Sequence, residues 1–322
     1  RPQPKAITPY GDVHMIGPPV GNTFFKLDGS GDYLSSPDSN DWAFGTEDFT
    51  IECWIYRDGT SNEYLVSLQP DSNNWLRLEV KASILEFNLY VSSSYEFQSS
   101  FTHGMNTNTW YHIAIVREST SVSAYINGVL SVSGATTIDA TDSVPNWSTP
   151  LYICSNSSGA STFTGNMAQF RISTSARYTE DFSPPTSNFT DDSDTVLLIQ
   201  NGTDGSVIFE DDDSSGRTGH TVNETGNTRW FGPKIGAGAM VFDGTGDYLS
   251  TPASEDFRWR TYDFTMESWV KVNSTGTYVM LGEYVGSGDR WYVKLDYTGK
   301  TISMFDVGSG LDVETNAITA MT

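Results

Sequence analysis

The chain has 322 residues, and its 40 acidic residues against 18 basic ones give it a formal net charge of −22. So acidic a surface repels phosphate backbones, and because the sequence also lacks a basic stripe, nucleic-acid binding is not expected. No apolar run approaches the ~20 residues of a bilayer-spanning helix, so membrane insertion is not expected either. Many Gly, Ser, Thr, Asn and Asp residues beside 13% aromatics favour an all-β fold, and the length allows two domains.

The sequence repeats itself at a constant spacing of 215 residues. Residues 27–37 (LDGSGDYLSSP) return as residues 242–252 (FDGTGDYLSTP), and residues 48–54 return as residues 263–269. An ungapped match of this length indicates two copies of one domain-sized unit. Each Asp-Gly stretch predicts a strand, a tight turn with polar side chains, and a second strand.

The first copy is predicted to be a series of short strands. Its Asn127-Gly128 pair between two alternating runs predicts a hairpin, and no run has a helical apolar period, so helix content should be very low. Two sets of side chains alternate over residues 49–56, which predicts a strand with two different faces. Phe49 is expected to lie between two sheets and Trp54 to point outward. Their counterparts in the second copy, Phe264 and Trp269, are expected to do the same. Further strands are predicted over residues 64–68, 75–80, 85–91, 110–117, 122–126, 151–154 and 165–173.

Two domains follow from the repeat. The first spans residues 1–190 and the second residues 195–322, and the Pro- and Asp-rich residues 178–194, which lead up to the second domain, are typical of a linker. The first copy has no counterpart to the opening of the second copy, so its opening strand is expected upstream. The second copy has no counterpart to residues 106–190, so its sandwich is predicted to be incomplete in this chain, and the parent polypeptide is expected to continue.

Several runs in a fixed order resemble the laminin-G-like (concanavalin A-like) jelly-roll family. They are the two Asp-Gly stretches, the two Asp-Phe-Thr-x-Glu-x-Trp runs, and residues 109–117 (TWYHIAIVR), 125–128 (YING) and 165–173 (GNMAQFRIS). The resemblance implies tandem sandwiches, each of two antiparallel sheets packed face to face. The run Gly-Asp-Tyr-Leu-Ser-x-Pro is most similar to repeats in large structural proteins of tailed phages, especially of marine cyanobacteria.

The resemblance also implies a calcium ion at the sandwich rim, held by a carboxylate and carbonyls of early loops. Calcium takes six to eight oxygen ligands, which Asp/Gly turns can supply. Against it, Gln169 stands in the last strand where relatives often have an acidic residue, and Asp in such turns also accepts backbone N–H bonds. The candidate ligands are Asp28 and Asp32 in the first copy and Asp213, Asp243 and Asp247 in the second.

Four aromatic residues are candidates for stacking against sugar rings: Trp75, Tyr90, Tyr95 and Trp147. They lie on predicted strands or loop tips, where flat rings beside Asn, Asp and Ser side chains can bind pyranoses. The alternative is that each ring only packs on a half-buried sheet.

Catalytic motifs are not found in the sequence. The hydrolases of this fold use a Glu-x-Asp-x-x-Glu strand, which does not occur here, so the protein is predicted not to be an enzyme. The resemblance implies a virion structural or appendage protein, a fibre or a head or tail decoration on the particle surface. Its expected partners are other virion proteins, copies of itself such as a trimer, and a host surface glycan. Two alternatives stay open: a bacterial surface adhesin, secreted or at the cell surface, and a non-catalytic module of a glycan-active enzyme.

Overall fold

The computed structural model divides the chain into two compact units, Arg1–Pro252 and Ala253–Thr322. The repeat-based boundary at residues 190–195 stays a prediction. The structure describes residues 8–10, 14–16, 18, 20–21, 23–200, 209–211, 220–226, 228–232, 239–242, 247–250, 264–272, 275–284, 290–306 and 311–315.

The secondary structure of the described residues is β throughout, apart from one 3-10 turn at Asn40–Trp42. None of these residues forms a helix that is long and apolar enough to cross a membrane. The strands are β1 (Thr8–Tyr10), β2 (His14–Ile16), β3 (Phe24–Asp28), β4 (Tyr33–Ser36), β5 (Phe49–Arg57), β6 (Glu63–Asp71), β7 (Asn74–Val80), β8 (Ile84–Val91), β9 (Ser94–Thr102), β10 (Trp110–Glu118), β11 (Ser121–Ile126), β12 (Val129–Leu130), β13 (Thr136–Thr137), β14 (Leu151–Ile153), β15 (Thr164–Ser173), β16 (Thr195–Ile199), β17 (Phe209–Glu210), β18 (Thr221–Thr225), β19 (Arg229–Phe231), β20 (Ala239–Val241), β21 (Tyr248–Ser250), β22 (Thr277–Tyr284), β23 (Arg290–Asp296), β24 (Thr301–Asp306) and β25 (Leu311–Glu314).

Two large antiparallel sheets form the sandwich of the first unit. One has the order β12-β11-β10-β5-β15-β3-β19, with β13 beside β11 and β16 beside β15. The other has the order β17-β18-β4-β14-β6-β7-β8-β9. The predicted hairpin at Asn127-Gly128 is confirmed, since both residues have positive φ and Ile126 of β11 pairs with Val129 of β12. The predicted all-β sandwich architecture is therefore confirmed.

The central strand β5 has one face in the core between the sheets and one face outside it. Phe49, Ile51 and Ile55 are at most 2% exposed and belong to the main hydrophobic core, as the alternation predicts. Trp54 faces the other way, and it is also buried, in a separate cluster that includes Phe189. The outer face of this sheet must therefore be covered by another part of the chain.

The cover is the stretch at residues 174–194, part of which the sequence marks as a linker. Its Tyr178 and Phe182 rings stack on each other with centroids 3.6 Å apart, and they pack against Tyr125 of β11. The amide of Phe182 donates to the carbonyl of Gly128, so the Asn-Gly hairpin and the cover hold each other in place. We call residues 174–194 the cover segment.

A buried ionic network fastens the cover segment to the sheet. The Glu52 carboxylate on β5 accepts hydrogen bonds from His112 Nε2 (3.0 Å), Arg171 Nε (2.8 Å) and Tyr178 Oη (2.9 Å). Arg171 also donates to the carbonyl of Thr190. Burial alone would raise the pKa of Glu52, but the His112 hydrogen bond and the Arg171 charge outweigh it and hold that pKa below its usual value.

The second unit contains a four-stranded antiparallel sheet in the order β22-β23-β24-β25. Here the expectation that Phe264 lies between two sheets is wrong, because residues 264–272 form no strand and the Phe264 side chain is 45% exposed. The Trp269 side chain is 68% exposed. The physical reason lies in the neighbours. In the first copy β5 is paired on both sides, by β10 and β15, whereas residues 264–272 pair with no strand in the described part of the chain.

Candidate functional site

Three of the four aromatic residues predicted to bind sugar lie side by side on the outer face of the β6–β9 sheet. Trp75 of β7 is directly opposite Tyr90 of β8, and Tyr90 is opposite Tyr95 of β9. The alternate residues Leu76 and Leu89 are in the core, so the three rings point away from it. We call Trp75, Tyr90 and Tyr95 the aromatic trio.

The rings of the aromatic trio contact one another closely. Trp75 and Tyr90 are stacked, with centroids 5.1 Å apart and planes at 18°, and Tyr95 meets both edge-on at 5.6 and 4.8 Å. Trp75 is only 8% exposed, whereas Tyr95 is 45% exposed. A ligand would therefore meet Tyr95 and Tyr90, and Trp75 would support them from below.

Two neighbouring hairpin turns hold the aromatic trio at the sheet end. Ser92 and Ser93 have positive φ values of 51° and 67° and connect β8 to β9. The Ser93 amide donates to the carbonyl of Asn73 (3.0 Å) in the turn between β6 and β7, and the Ser92 amide donates to Oδ1 of Asn74 (2.9 Å), the first residue of β7. The two turns are thus tied together, and the rings that flank them have a fixed scaffold.

Arg77 adjoins the aromatic trio, and the sequence reasoning missed it. Its guanidinium carbon lies 4.0 Å from the Trp75 ring centroid and 5.6 Å from that of Tyr64, both within cation–π range. Arg77 is paired across the sheet with Ser67 and Asn88, and its buried Nε has no hydrogen-bond partner among the described residues. The sequence could have indicated this residue, because Arg77 follows Trp75 by two positions and alternate residues of a strand lie on the same face.

Two carboxylates face each other further along the same face. Glu79 of β7 is opposite Glu86 of β8, and Lys81 Nζ lies 3.8 Å from a Glu79 oxygen and 2.6 Å from a Glu86 oxygen. Burial raises the pKa of Glu79, while the charges of Lys81 and Arg77 limit that rise. Glycosidases also use a carboxylic acid with a raised pKa opposite a carboxylate. Here, however, Lys81 lies between Glu79 and Glu86 and pairs with both, so the three side chains form an ion triad.

Trp147, the fourth predicted residue, lies apart from the aromatic trio. It is partly buried against the core from a loop that precedes β14. Its neighbours fasten that loop to the residues that follow β4: Asn146 Nδ2 donates to Asn40 Oδ1 (2.7 Å), and Ser148 Oγ donates to Asp38 Oδ2 (3.1 Å). The Trp147 ring therefore packs against the core, which is the alternative that the sequence left open.

The Asp-Gly turn of the first copy carries the chain from one sheet to the other, since β3 and β4 belong to different sheets. Asp32 Oδ2 accepts the Asp28 N–H (2.9 Å), and Asp28 Oδ1 accepts the Ser30 N–H (2.7 Å). Gly29 and Gly31 have φ values of +80° and +78°, which favour glycine. Both carboxylates therefore serve as backbone acceptors in a tight turn.

The carboxylate oxygens of Asp28 and Asp32 do not by themselves form a calcium coordination shell. In the described parts of the chain, no three His, Cys, Asp or Glu side chains group as a metal site. The amide of Gln169 in β15 is engaged too, since its Nε2 donates to Asn188 of the cover segment (3.1 Å). Asp247 is half-buried, and Asp213 and Asp243 lie outside the described residues. Calcium binding stays a prediction.

Comparisons with known proteins agree with this fold. Residues 28–181 match the family described as the concanavalin A-like lectin/glucanases superfamily, so the first sandwich is of the concanavalin A-like jelly-roll type. No curated protein matches the chain in sequence.

Solved structures include similar folds at low sequence identity. A Bacteroides ovatus protein named as a "putative carbohydrate binding protein" has 18% identity and a TM-score of 0.50 over 66% of this chain and 60% of its own. A heptameric SAP-like pentraxin of Limulus polyphemus has 14% identity and a TM-score of 0.37, covering 48% of this chain and 77% of its own. The binding domain of botulinum neurotoxin serotype G has 18% identity and a TM-score of 0.41, covering 53% and 44%. At 18% identity, the Bacteroides match supports the shared fold alone.

Proposed function

We propose that this protein is a non-enzymatic, glycan-binding module that binds pyranose-containing surface polysaccharides through the aromatic trio. The observation that carries the proposal is the exposed Tyr95 ring, held against Tyr90 and Trp75 on the outer face of the sheet. A rigid aromatic surface with polar groups beside it suits a sugar, whose ring faces are apolar and whose edges carry hydroxyls.

The polar groups of this face supply the second half of such a site. Arg77 is a donor beside the rings. The Glu79–Lys81–Glu86 triad offers carboxylate oxygens and an ammonium group to hydroxyls at the far end. With few such contacts a single module binds weakly, and several copies in one particle raise the avidity without any new contact.

The setting that we propose is a virion appendage or decoration, in which the module contacts a host surface glycan. The duplication at a spacing of 215 residues and the net charge of −22 support it, since both suit a soluble object built from many modules. Mass spectrometry and antibody-labelled electron microscopy of purified particles test the setting. Detection on a bacterial cell surface, or on a chain with a catalytic domain, would favour one of the alternatives.

The absence of catalysis is part of the proposal. Lys81 bridges the two facing carboxylates, so neither Glu79 nor Glu86 is free to act as the acid or the nucleophile without breaking an ion pair. Release of reducing sugar from a panel of polysaccharides measures this directly. Any turnover that is lost in Glu86→Gln would overturn the non-enzymatic assignment.

A glycan array probed with the chain tetramerised on streptavidin tests binding, and three variants of one residue test the site. Tyr95→Phe keeps the ring and should bind within about twofold of wild type. Tyr95→Leu and Tyr95→Ala lose the ring and should weaken binding about tenfold, which is about 1.4 kcal/mol. Because Tyr95 is 45% exposed, these changes leave the fold intact. Equal binding by all four proteins would place the ligand elsewhere.

A further inference from the structure

The two repeats of the chain exchange their opening strands. Strands β18 and β19 precede the second Asp-Gly stretch, and under the 215-residue shift they are the counterparts of β1 and β2. They nevertheless pair with β4 and β3 of the first copy. In return, β1 and β2 pair with β21 and β20, which are the counterparts of β4 and β3. All four pairings lie within the compact unit Arg1–Pro252.

The two sets of pairings have identical registers. Asn223 of β18 lies opposite Ser35 of β4, and their counterparts Thr8 of β1 and Ser250 of β21 also lie opposite each other. The same holds for the second strand of each pair, residue by residue: Arg229–Phe231 on Phe24–Lys26 corresponds to His14–Ile16 on Ala239–Val241. Equivalent edges of the two copies thus pair with equivalent strands in one register, as expected where the side-chain pattern sets the register.

The exchanged strands complete the core of the first sandwich. Trp230 of β19 is fully buried in the main core, with its ring edge-on to Phe25 at 5.5 Å, and Val222 of β18 is 8% exposed. Removal of these strands would uncover that core and leave the edges of β3 and β4 unpaired, a state that promotes pairing with another chain.

A histidine bridge adds a specific contact next to β18. His220 Nδ1 lies 2.9 Å from Asp211 Oδ2, and its Nε2 lies 3.0 Å from Asp41 Oδ2 of the first copy. The ring of His220 also packs against Trp42 at 4.6 Å. Asp211 in turn accepts the amide of Leu198 in β16, which pairs with β15 of the first copy, so this part of the second copy's opening is fastened to the first copy.

We propose that the edges of β3 and β4 are an acceptor site for the opening strand pair of another repeat, and that reciprocal exchange of these strands joins the repeats. A second copy of this chain offers the same strands in the same register, so it is the intermolecular partner that the site fits. Exchange between two chains makes the same strand contacts as exchange within one chain. Which of the two is formed depends on the effective concentration of the strand pair from the same chain relative to the concentration of a second chain.

Paired cysteines distinguish exchange from ordinary pairing within one copy. Asn223→Cys with Ser35→Cys bridges the exchanged arrangement, and Asn223→Cys with Ser250→Cys bridges the unexchanged one. The native Cys53 and Cys154 are buried, and burial raises the pKa of both thiols, so they react slowly with a thiol cross-linker. The exchanged pair should cross-link about tenfold faster or more, because fixed neighbours react at a far higher effective concentration. Equal rates, or a faster unexchanged pair, would overturn the exchange.

The reciprocal pair provides the matched control. Thr8→Cys with Ser250→Cys should behave like the first variant, and Thr8→Cys with Ser35→Cys like the second, so a folding defect at one site cannot produce both results. For the intermolecular form, the single variants Asn223→Cys and Ser35→Cys are unfolded together and refolded as a mixture at high concentration. A covalent dimer of the two chains is expected, and its absence would overturn the assignment of a second copy as partner.

Discussion

Removal of the Glu52 carboxylate should destabilise the first unit more than removal of any exposed carboxylate. Glu52 is 1% exposed and accepts hydrogen bonds from His112, Arg171 and Tyr178. In Glu52→Ala the Arg171 charge, itself only 5% exposed, would lose its buried partner. Loss of one member of a buried pair costs about 3–5 kcal/mol in the free energy of unfolding.

Urea unfolding of the full chain, followed by tryptophan fluorescence and far-UV circular dichroism, measures this loss. The matched control is Glu86→Ala, whose ion pair with Lys81 has side chains 24% and 25% exposed and should contribute at most about 1 kcal/mol. A loss below about 1 kcal/mol for Glu52→Ala, or equal losses for the two variants, would refute the reasoning that the network fastens the cover segment.

The pH dependence of stability in a second variant, Glu52→Gln, provides an independent check. The folded pKa of Glu52 lies below its usual value of 4.5, so its stabilising contribution is fully present above that pH and is lost as the pH falls through the folded pKa. The difference in unfolding free energy between wild type and Glu52→Gln should therefore be constant near neutral pH and shrink in acid. A difference that grows in acid would contradict the sign.

Three further predictions concern the core, the histidine bridge and the Asn-Gly turn. Phe49→Ala should cost about 3–5 kcal/mol in a denaturant melt, because Phe49 is fully buried; a loss near zero would contradict its place between the sheets. Hydrogen bonding to Asp211 raises the pKa of His220, so its stabilisation is full below pH 6.5 and declines as the pH rises through the folded pKa. His220→Gln should therefore lower the thermal midpoint more at acidic than at alkaline pH, and a pH-independent effect would count against the bridge. Gly128→Ala should cost more than about 1 kcal/mol in unfolding free energy, and more than Gly134→Ala. A Cβ at Gly128 would lie 1.9 Å from Phe182 O, whereas a Cβ at Gly134 meets nothing within 4 Å, so equal melts would exclude that contact.

The local features of the first copy could be predicted because they depend on neighbouring residues. The alternation from Phe49 onward placed that side chain in the core, and Asn127-Gly128 placed a hairpin turn. Trp75 and Tyr90 lie on strands that the sequence predicted, whereas Tyr95 lies on β9, which it did not predict, so the contact of the three rings was not foreseen. Trp147 could not be separated from them, because its loop is placed by contacts with Asn40 and Asp38, more than a hundred residues away.

Long-range contacts account for what the sequence did not predict. The cover segment has no strand period, and its burial depends on Phe182 and Phe189 meeting a sheet built from residues far earlier in the chain. The repeat could not reveal the strand exchange either, because equivalent strands have equivalent side-chain patterns, and a pattern does not say which copy supplies the strand to an edge. The exposed Phe264 shows the converse: the local pattern is present, but a strand needs neighbours to pair with.

The most direct test of the glycan-binding proposal is a titration of the chain with the best array glycan as a free oligosaccharide, followed by NMR of the aromatic side chains. The proposal predicts that the ring resonances of Tyr95 and Tyr90 shift in a saturable way while the Trp147 indole stays in place, and that Tyr95→Leu abolishes these shifts. Saturable shifts at Trp147 alone, or an array on which no glycan binds, would contradict it.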